Sequence, residues 1–278
     1  MAVYDVNGND VSTPVETDST ALRRSGYIKS VNHRGYNSVA PENTLPAFRL
    51  SKTNGFDYIE TDIYYSKDNV PILLHDYYID RTARNPDGTA VPTNTDPRNL
   101  TFEQLQEYDF GIWKSADYAG TKIPSLEQAI ALFKAIKLHP YLEVSKGLTI
   151  TQAQLCYGIV KDYGMQRNVT WASKTITHLQ NILTVDPYAR VSYFVDALTS
   201  EKIAEAVGLM SNSNAEVVIG TGLSDTDALI ASAIAAGIEL ECGLIGTQAQ
   251  ALALNHAMTG TMSDVINVAQ VIYNANIS

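Results

Sequence analysis

YIETDIYYSKDNVPILLHD, residues 58–76, is the stretch from which the fold is read. The run that holds Glu60 and Asp62 reads as a β-strand. Side chains of a strand alternate between its two faces, so Glu60 and Asp62 project together and Thr61 points the other way. Lys67-Asp68-Asn69 makes a short polar turn, and Val70 to Leu74 reads as a second strand. That turn is too short for a crossover helix, so the second strand should return antiparallel and deliver His75 and Asp76 towards the same end. Two neighbouring carboxylates repel unless a cation or a shared proton lies between them. Hard divalent cations take oxygen ligands. The stretch is therefore either a metal-holding strand or an ordinary amphipathic hairpin with surface acids.

Working outward, Tyr27–Asn32 is a short strand ending at His33-Arg34-Gly35, and Leu45–Thr53 has helical spacing. Asn43 or Thr44 could cap that helix, with Pro46 in its first turn. Residues 77–100 read as an irregular loop, Thr101–Tyr108 as a capped helix, and Pro124-Ser125 opens a helix running to about Lys137. A short apolar strand and an amphipathic helix then alternate. Strands are expected at Tyr141–Val144, Val169–Ser173, Val191–Val195, Val217–Gly220, Ile238–Gly243 and Met262–Asn267, with helices at Thr151–Tyr163, Ile176–Thr184, Ser200–Met210 and Thr226–Ala236. With the hairpin set aside there are eight strands, and each but the last is followed by a helix. Alternation implies parallel strands with right-handed crossovers. Eight of them imply an α/β fold of the (β/α)8 TIM-barrel type with a hairpin extension after the second strand. An open doubly wound sheet is disfavoured because no glycine-rich fingerprint follows the first strand. Residues 1–26 read as a polar N-terminal arm or linker, and residues 27–278 as the barrel.

The chain has 278 residues, a formal net charge of −10 and two cysteines. The acidic balance argues against a nucleic-acid partner and against docking on an anionic membrane, since both need basic surface. Cys156 and Cys242 sit in apolar settings and read as buried thiols rather than a disulfide or metal pair. No apolar run is long enough to cross a membrane, so no stable membrane insertion is expected. The polar, acidic first residues do not form a conventional signal peptide. A cytoplasmic protein is the simple expectation. A phage-encoded protein in the virion or outside the cell would look the same.

In such barrels the active site lies at the C-terminal ends of the strands. His33 and Arg34 follow the first strand, Glu60 and Asp62 lie late on the second, His75 ends the hairpin and Glu143 lies late on the third. This set fits phosphodiester hydrolysis. One divalent cation, Mg2+ or Ca2+, held by Glu60, Asp62 and Glu143, would neutralise phosphate oxygens. Arg34 offers a planar fork for another oxygen. His33 and His75 could share general acid and base work near neutral pH. His139, His178 and His256 lie away from the predicted rim and read as structural or surface residues. Trp171 reads as core. Glu42 is expected to hold the first loop by hydrogen bonds. Some tyrosines near the motifs, among them Tyr36, Tyr64, Tyr65, Tyr77 and Tyr78, could line the pocket.

These motifs, in order, resemble those of the glycerophosphodiester phosphodiesterases. The segments are His33-Arg34-Gly35, Glu42-Asn43-Thr44, Glu60-Thr61-Asp62, His75-Asp76, Asp80-Arg81-Thr82 and Ile123-Pro124-Ser125-Leu126-Glu127, followed by Glu143. The resemblance is strong over about residues 28–146 and weaker beyond. It implies a TIM barrel, a divalent metal, and hydrolysis of a small glycerophosphodiester to glycerol phosphate and an alcohol. His33 and His75 would be the acid–base pair, with Arg34 on the phosphate. Three positions depart from the family pattern. The usual lysine two residues after the third-strand acid is Ser145, and the lysine is Lys146. Lys146 can bind substrate only if the strand has ended or bulges there. The seventh strand, Ile238-Glu239-Leu240-Glu241-Cys242-Gly243, lacks the family tryptophan. Met262-Ser263-Asp264 stands where threonine-aspartate is common. Rival readings are a cyclising, phospholipase D-like enzyme and a phage or cell-surface module that binds or trims glycerol-phosphate polymers such as teichoic acid. A homo-oligomer or a phage or cell-wall assembly stays open.

Overall fold

A computed structural model of the chain describes residues 28–144, 146–223, 225–255 and 257–277. The expected N-terminal arm and His256 lie outside the described residues. Eight parallel strands close on themselves. They are β1 (Lys29–Asn32), β2 (Tyr58–Tyr65), β4 (His139–Glu143), β5 (Thr170–Ser173), β6 (Arg190–Phe194), β7 (Glu216–Thr221), β8 (Glu239–Cys242) and β9 (Gly260–Ser263). β1 pairs with both β2 and β9, which completes the barrel. β3 (Pro71–Leu73) is antiparallel to β2, with Tyr65 opposite Pro71, as the short polar turn requires. The register sets Asp62 of β2 beside Glu143, the last residue of β4.

Helices fill the crossovers: α1 (Leu45–Thr53), α2 (Phe102–Leu105), α3 (Leu126–Ile136), α4 (Ile150–Asp162), α5 (Ile176–Val185), α6 (Ser200–Ser211), α7 (Asp227–Ala235), α8 (Gln248–Leu252) and α9 (Val268–Ile277). Their starts are fixed by side chains that take up orphan backbone N–H groups. Thr101, Ser125, Thr149 and Thr247 each form a capping box with a glutamine three residues on. The first helix is an exception. Thr44 stands at its N-cap without a side-chain cap bond, because its hydroxyl donates instead to the Pro41 carbonyl at 2.6 Å.

The last strand corrects the sequence reading. It runs Gly260–Ser263 rather than Met262–Asn267, and a helix follows it. The Ser263 hydroxyl accepts from the backbone N–H groups of Val265 and Ile266, which turns the chain where a strand was expected to continue. Trp171 lies in the core at 1% exposure, and both cysteines are buried and free. Among the described residues no helix is long and apolar enough to cross a membrane.

Candidate active site

Oxygens of Glu60, Asp62 and Glu143 all lie within 4.8 Å of one another. Glu60 is fully buried, and its Oε1 has no hydrogen-bond partner among the described residues. Its Oε2 accepts from the backbone N–H of Arg34 at 3.0 Å. That N–H is aimed inward because Arg34 and Gly35 both adopt left-handed backbone, at φ 51 and 77. Gly35 has no room for a side chain, since a Cβ would stand 2.9 Å from that of Ala47. Burial, followed by the charges of Asp62 and Glu143, pushes the Glu60 carboxyl well above the usual carboxylate range, against the pull of Arg34. Asp62 is held by Asn43, whose Nδ2 donates to Oδ2 at 2.8 Å and whose Oδ1 accepts from the Asp62 backbone N–H and the Thr61 hydroxyl. Asn43 is itself left-handed at φ 55, a conformation that asparagine tolerates better than most residues.

Arg34 lies over this cluster. Its Nη1 donates to Glu42 at 3.0 Å, while its Nε stands 3.5 Å from Asp62 Oδ2 and makes no hydrogen bond. Glu42 also takes a two-pronged contact from Arg81, whose Nε in turn meets Asp76. Glu42 therefore braces the first loop, as expected. Burial opposes its ionisation, but Arg81 and Arg34 outweigh that and lower its pKa.

Each histidine is backed by a carboxylate at Nδ1. His33 meets Asp264 Oδ1 at 2.7 Å and His75 meets Asp76 Oδ1 at 2.7 Å. Asn37 bridges the first pair, donating to Asp264 at 2.6 Å and to the His33 carbonyl at 3.0 Å. A carboxylate at Nδ1 fixes the tautomer and leaves Nε2 for chemistry. In His33 that nitrogen lies 3.9 Å from Glu60 Oε2. The hydrogen bond from His33 lowers the pKa of Asp264.

β4 ends at Glu143, so alternation no longer governs Lys146. Its ammonium donates to the Leu74 carbonyl at 3.0 Å and lies 5.2 and 5.7 Å from the ring centres of Tyr64 and Tyr77. Burial lowers its pKa against the pull of Asp62, Glu143 and Asp76. Lys146 lines a 320 Å³ cavity with Asp62, His75, Tyr77, Tyr78 and Glu143. Tyr77 and Tyr78 thus stand at the site, whereas Tyr65 is core and meets Cys156. A second cavity, of 420 Å³, is lined by His33, Arg34, His75 and Glu143 together with Phe194, Glu241, Leu244 and Met262.

The structure thus brings together His33, Arg34, Glu60, Asp62, His75, Glu143 and Lys146. Two outlying histidines need correction. His139 opens β4 instead of preceding it, with its ring 5.2 Å from that of Tyr58. His178 is on a helix as expected, but its Nδ1 lies 3.3 Å from the hydroxyl of Ser173 at the end of β5, nearer the rim than expected. Sequence reasoning missed Asp264 as the partner of His33, and Asn43 as the clamp on Asp62. The first lies 231 residues from its histidine, and no local signal links them. The second had a signal, an asparagine inside a tight loop just before a helix.

Fold and site define an α/β barrel with a buried carboxylate cluster, an arginine and two carboxylate-backed imidazoles around one opening. More narrowly, the chain belongs to the glycerophosphoryl diester phosphodiesterase family, whose model matches residues 33–242. Human glycerophosphodiester phosphodiesterase 1 is 38% identical over 112 residues, 40% of this chain and 31% of its own length. The glycerophosphodiester phosphodiesterase of Caldanaerobacter subterraneus is 26% identical over 163 residues, 58% of this chain and 64% of its own. The matches with these curated relatives therefore span between 31% and 64% of the relatives' length. Among solved structures, an Oleispira antarctica phosphodiesterase in complex with the product sn-glycerol-3-phosphate superposes with a TM-score of 0.77. It is 25% identical, over 92% of this chain and 99% of that one. An Agrobacterium tumefaciens glycerophosphodiester phosphodiesterase gives 0.71 at 22% identity, over 89% and 99%, a likeness of fold.

Proposed function

We propose that this protein is a divalent-metal-dependent phosphodiesterase that hydrolyses glycerophosphodiesters to glycerol phosphate and an alcohol. The observation that carries this reading is a pair of unsatisfied buried atoms at one point: Glu60 Oε1, an acceptor, and Arg34 Nε, a donor. A buried acceptor among two further carboxylates calls for a cation, and a buried guanidinium donor beside it calls for an anion. A metal with a phosphate oxygen meets both needs. The donor set is all oxygen and fits Mg2+ or Ca2+. Glu60, Asp62 and Glu143 would hold the ion, which would supply Lewis-acid neutralisation of the phosphate charge.

The remaining work falls to side chains. Arg34 presents Nε to a phosphate oxygen while Glu42 keeps its fork in place. Lys146 adds a second cation at the mouth. One imidazole of the His33 and His75 pair takes a proton from the attacking water, and the other gives one to the departing alkoxide, so the P–O bond to the alcohol breaks as the new P–O bond forms. Asp264 and Asp76 keep the two rings in the tautomer this exchange needs. The relative solved with sn-glycerol-3-phosphate supports glycerol phosphate as the product class.

The test is hydrolysis of glycerophosphocholine by chelated protein, with and without added Mg2+ or Ca2+, and by His33→Ala and His75→Ala. Activity should need the ion and both histidines. Full turnover in chelator would overturn the reading. Phosphorus NMR of the product should show glycerol phosphate, and a cyclic ester signal would identify a cyclising enzyme instead.

A further inference from the structure

The 420 Å³ cavity ends on a carboxylate that the mechanism above leaves unused. Glu241, on β8, is 5% exposed and lines the same cavity as His33, His75 and Glu143. Its register neighbours on both flanking strands are glycines, Gly220 on β7 and Gly260 on β9. Side chains are excluded there by crowding. A Cβ on Gly260 would stand 2.9 Å from Cγ of Glu241, and one on Gly220 would stand 2.8 Å from the ring of Phe194. Glu241 and the Phe194 ring take up that space, and with Gly220 they line the cavity.

The charge of Glu241 is already matched. Lys29 Nζ lies 3.5 Å and Arg190 Nη2 3.8 Å from its Oε1, which also accepts from the Tyr141 hydroxyl at 2.7 Å. No further cation is called for. An ionised carboxylate nevertheless offers about four acceptor positions, and Oε2 takes no hydrogen bond from the described residues. A neutralised acceptor on the wall of a cavity suits a neutral hydroxyl group rather than an ammonium.

We propose that Glu241 is a specificity-determining residue that accepts a hydrogen bond from a hydroxyl of the polyol part of the ester. This inference rests on the phosphodiesterase reading and deepens it by naming what the far end of the cavity recognises. A site built to bond a hydroxyl discriminates strongly against an analogue that lacks it, because the buried acceptor is then left unpaired.

Two diesters with the same p-nitrophenolate leaving group test it, one carrying a glyceryl and the other a methyl group. The wild-type protein should prefer the glyceryl ester in kcat/KM by at least about tenfold, and Glu241→Gln should collapse that ratio towards one. Glu241→Asp keeps the charge but withdraws it by one methylene. It should lose most of the preference too, and it carries the test should the glutamine variant not fold. A wild-type ratio near one, or an unchanged ratio in a folded variant, overturns the inference while leaving the phosphodiesterase reading standing. Cleavage of neither ester by the wild type overturns both.

Discussion

Replacing Glu60 with glutamine separates the cost of the carboxylate cluster from its use. The oxygens of Glu60, Asp62 and Glu143 lie within 4.8 Å of one another. At that separation two unit charges repel by about 3.5 kcal/mol for an effective dielectric constant of about 20. Glu60 faces two such charges, and Arg34 offsets part of them. Proton uptake sets a ceiling on the cost: between the ordinary 4.5 of Glu60 and pH 7 it is about 3.4 kcal/mol. The sign follows from the direction of the shift. A folded pKa above the unfolded value means that the stability is fully present below 4.5 and is lost as pH rises through the raised folded value. Glu60→Gln keeps an oxygen for the Arg34 N–H and removes the charge. In chelator at pH 7 the variant should therefore be more stable than the wild type, by at most about 3.4 kcal/mol, and should melt at a higher temperature. At pH 4.5 the two should melt together. Mg2+ or Ca2+ at about a thousand times its Kd should reverse the order, since it adds about 4.1 kcal/mol to the protein that binds it, more than the ceiling above. Thermal melts at both pH values, with chelator and with each ion, measure all of this. A glutamine variant less stable than wild type in chelator at pH 7, or an ion effect of equal size in both proteins, refutes the reasoning.

Asp264→Asn removes the charge behind His33 and should lower kcat for glycerophosphocholine by about 10²–10⁴ with little change in KM; a change confined to KM would contradict the pairing. Lys146→Met removes an ammonium placed at the phosphate side of the cavity and should raise KM about tenfold or more, so an unaltered KM in steady-state assays counts against it. At the far end of the barrel, burial opposes ionisation of Glu239, but Arg190 and Lys29 outweigh it and pull the pKa down to about 2. That folded value is below the unfolded one, so the stabilisation is present above about 4.5 and is lost as pH falls towards 2. Urea denaturation of Glu239→Gln should show about 3 kcal/mol less stability at pH 7 and a flatter acid limb, whereas parallel pH profiles for variant and wild type would exclude the ion pair as the source.

The parts of the fold legible in the sequence are those where one period dominates. Alternation over Tyr58–Tyr65 placed Glu60 and Asp62 on one face, and the three-residue polar turn fixed the hairpin and with it His75. The last strand was misread for a reason that lies across the barrel. Gly260 opens the strand, two residues before the expected start, where a Cβ would stand 2.9 Å from Cγ of Glu241 on the neighbouring strand. Val265 and Ile266 read as strand residues, yet the Ser263 hydroxyl turns their backbone. Asp264 was legible only as an unusual spelling of a motif, since its role depends on a histidine at the other end of the chain. The same holds for Glu241. In sequence it is one residue of a strand that lacks an aromatic, and only the register shows that two glycines flank it. Lys146 depended on where β4 stops, which alternation within the strand does not reveal.

Five ion pairs of the site form one chain, and this bears on how a protein of net charge −10 would hold the proposed anionic ester. Asp62 meets Arg34 at 3.5 Å, Arg34 meets Glu42 at 3.0 Å, Glu42 meets Arg81 at 2.7 Å, Arg81 meets Asp76, and Asp76 meets His75 at 2.7 Å. Counting only this chain of pairs, the carboxylate cluster and Lys146, the five carboxylates of Glu42, Glu60, Asp62, Asp76 and Glu143 face the three cations Arg34, Arg81 and Lys146. With all five ionised the site is two charges negative, and a phosphodiester would add a third. Glu60, Asp62 and Glu143 would hold a divalent cation whose charge would offset that excess. With Asp62 so neutralised, the Arg34 Nε would be free to face the phosphate. Metal should therefore bind first and ester second, and ester affinity in chelator should fall far more than the loss of a single ligand contact would explain.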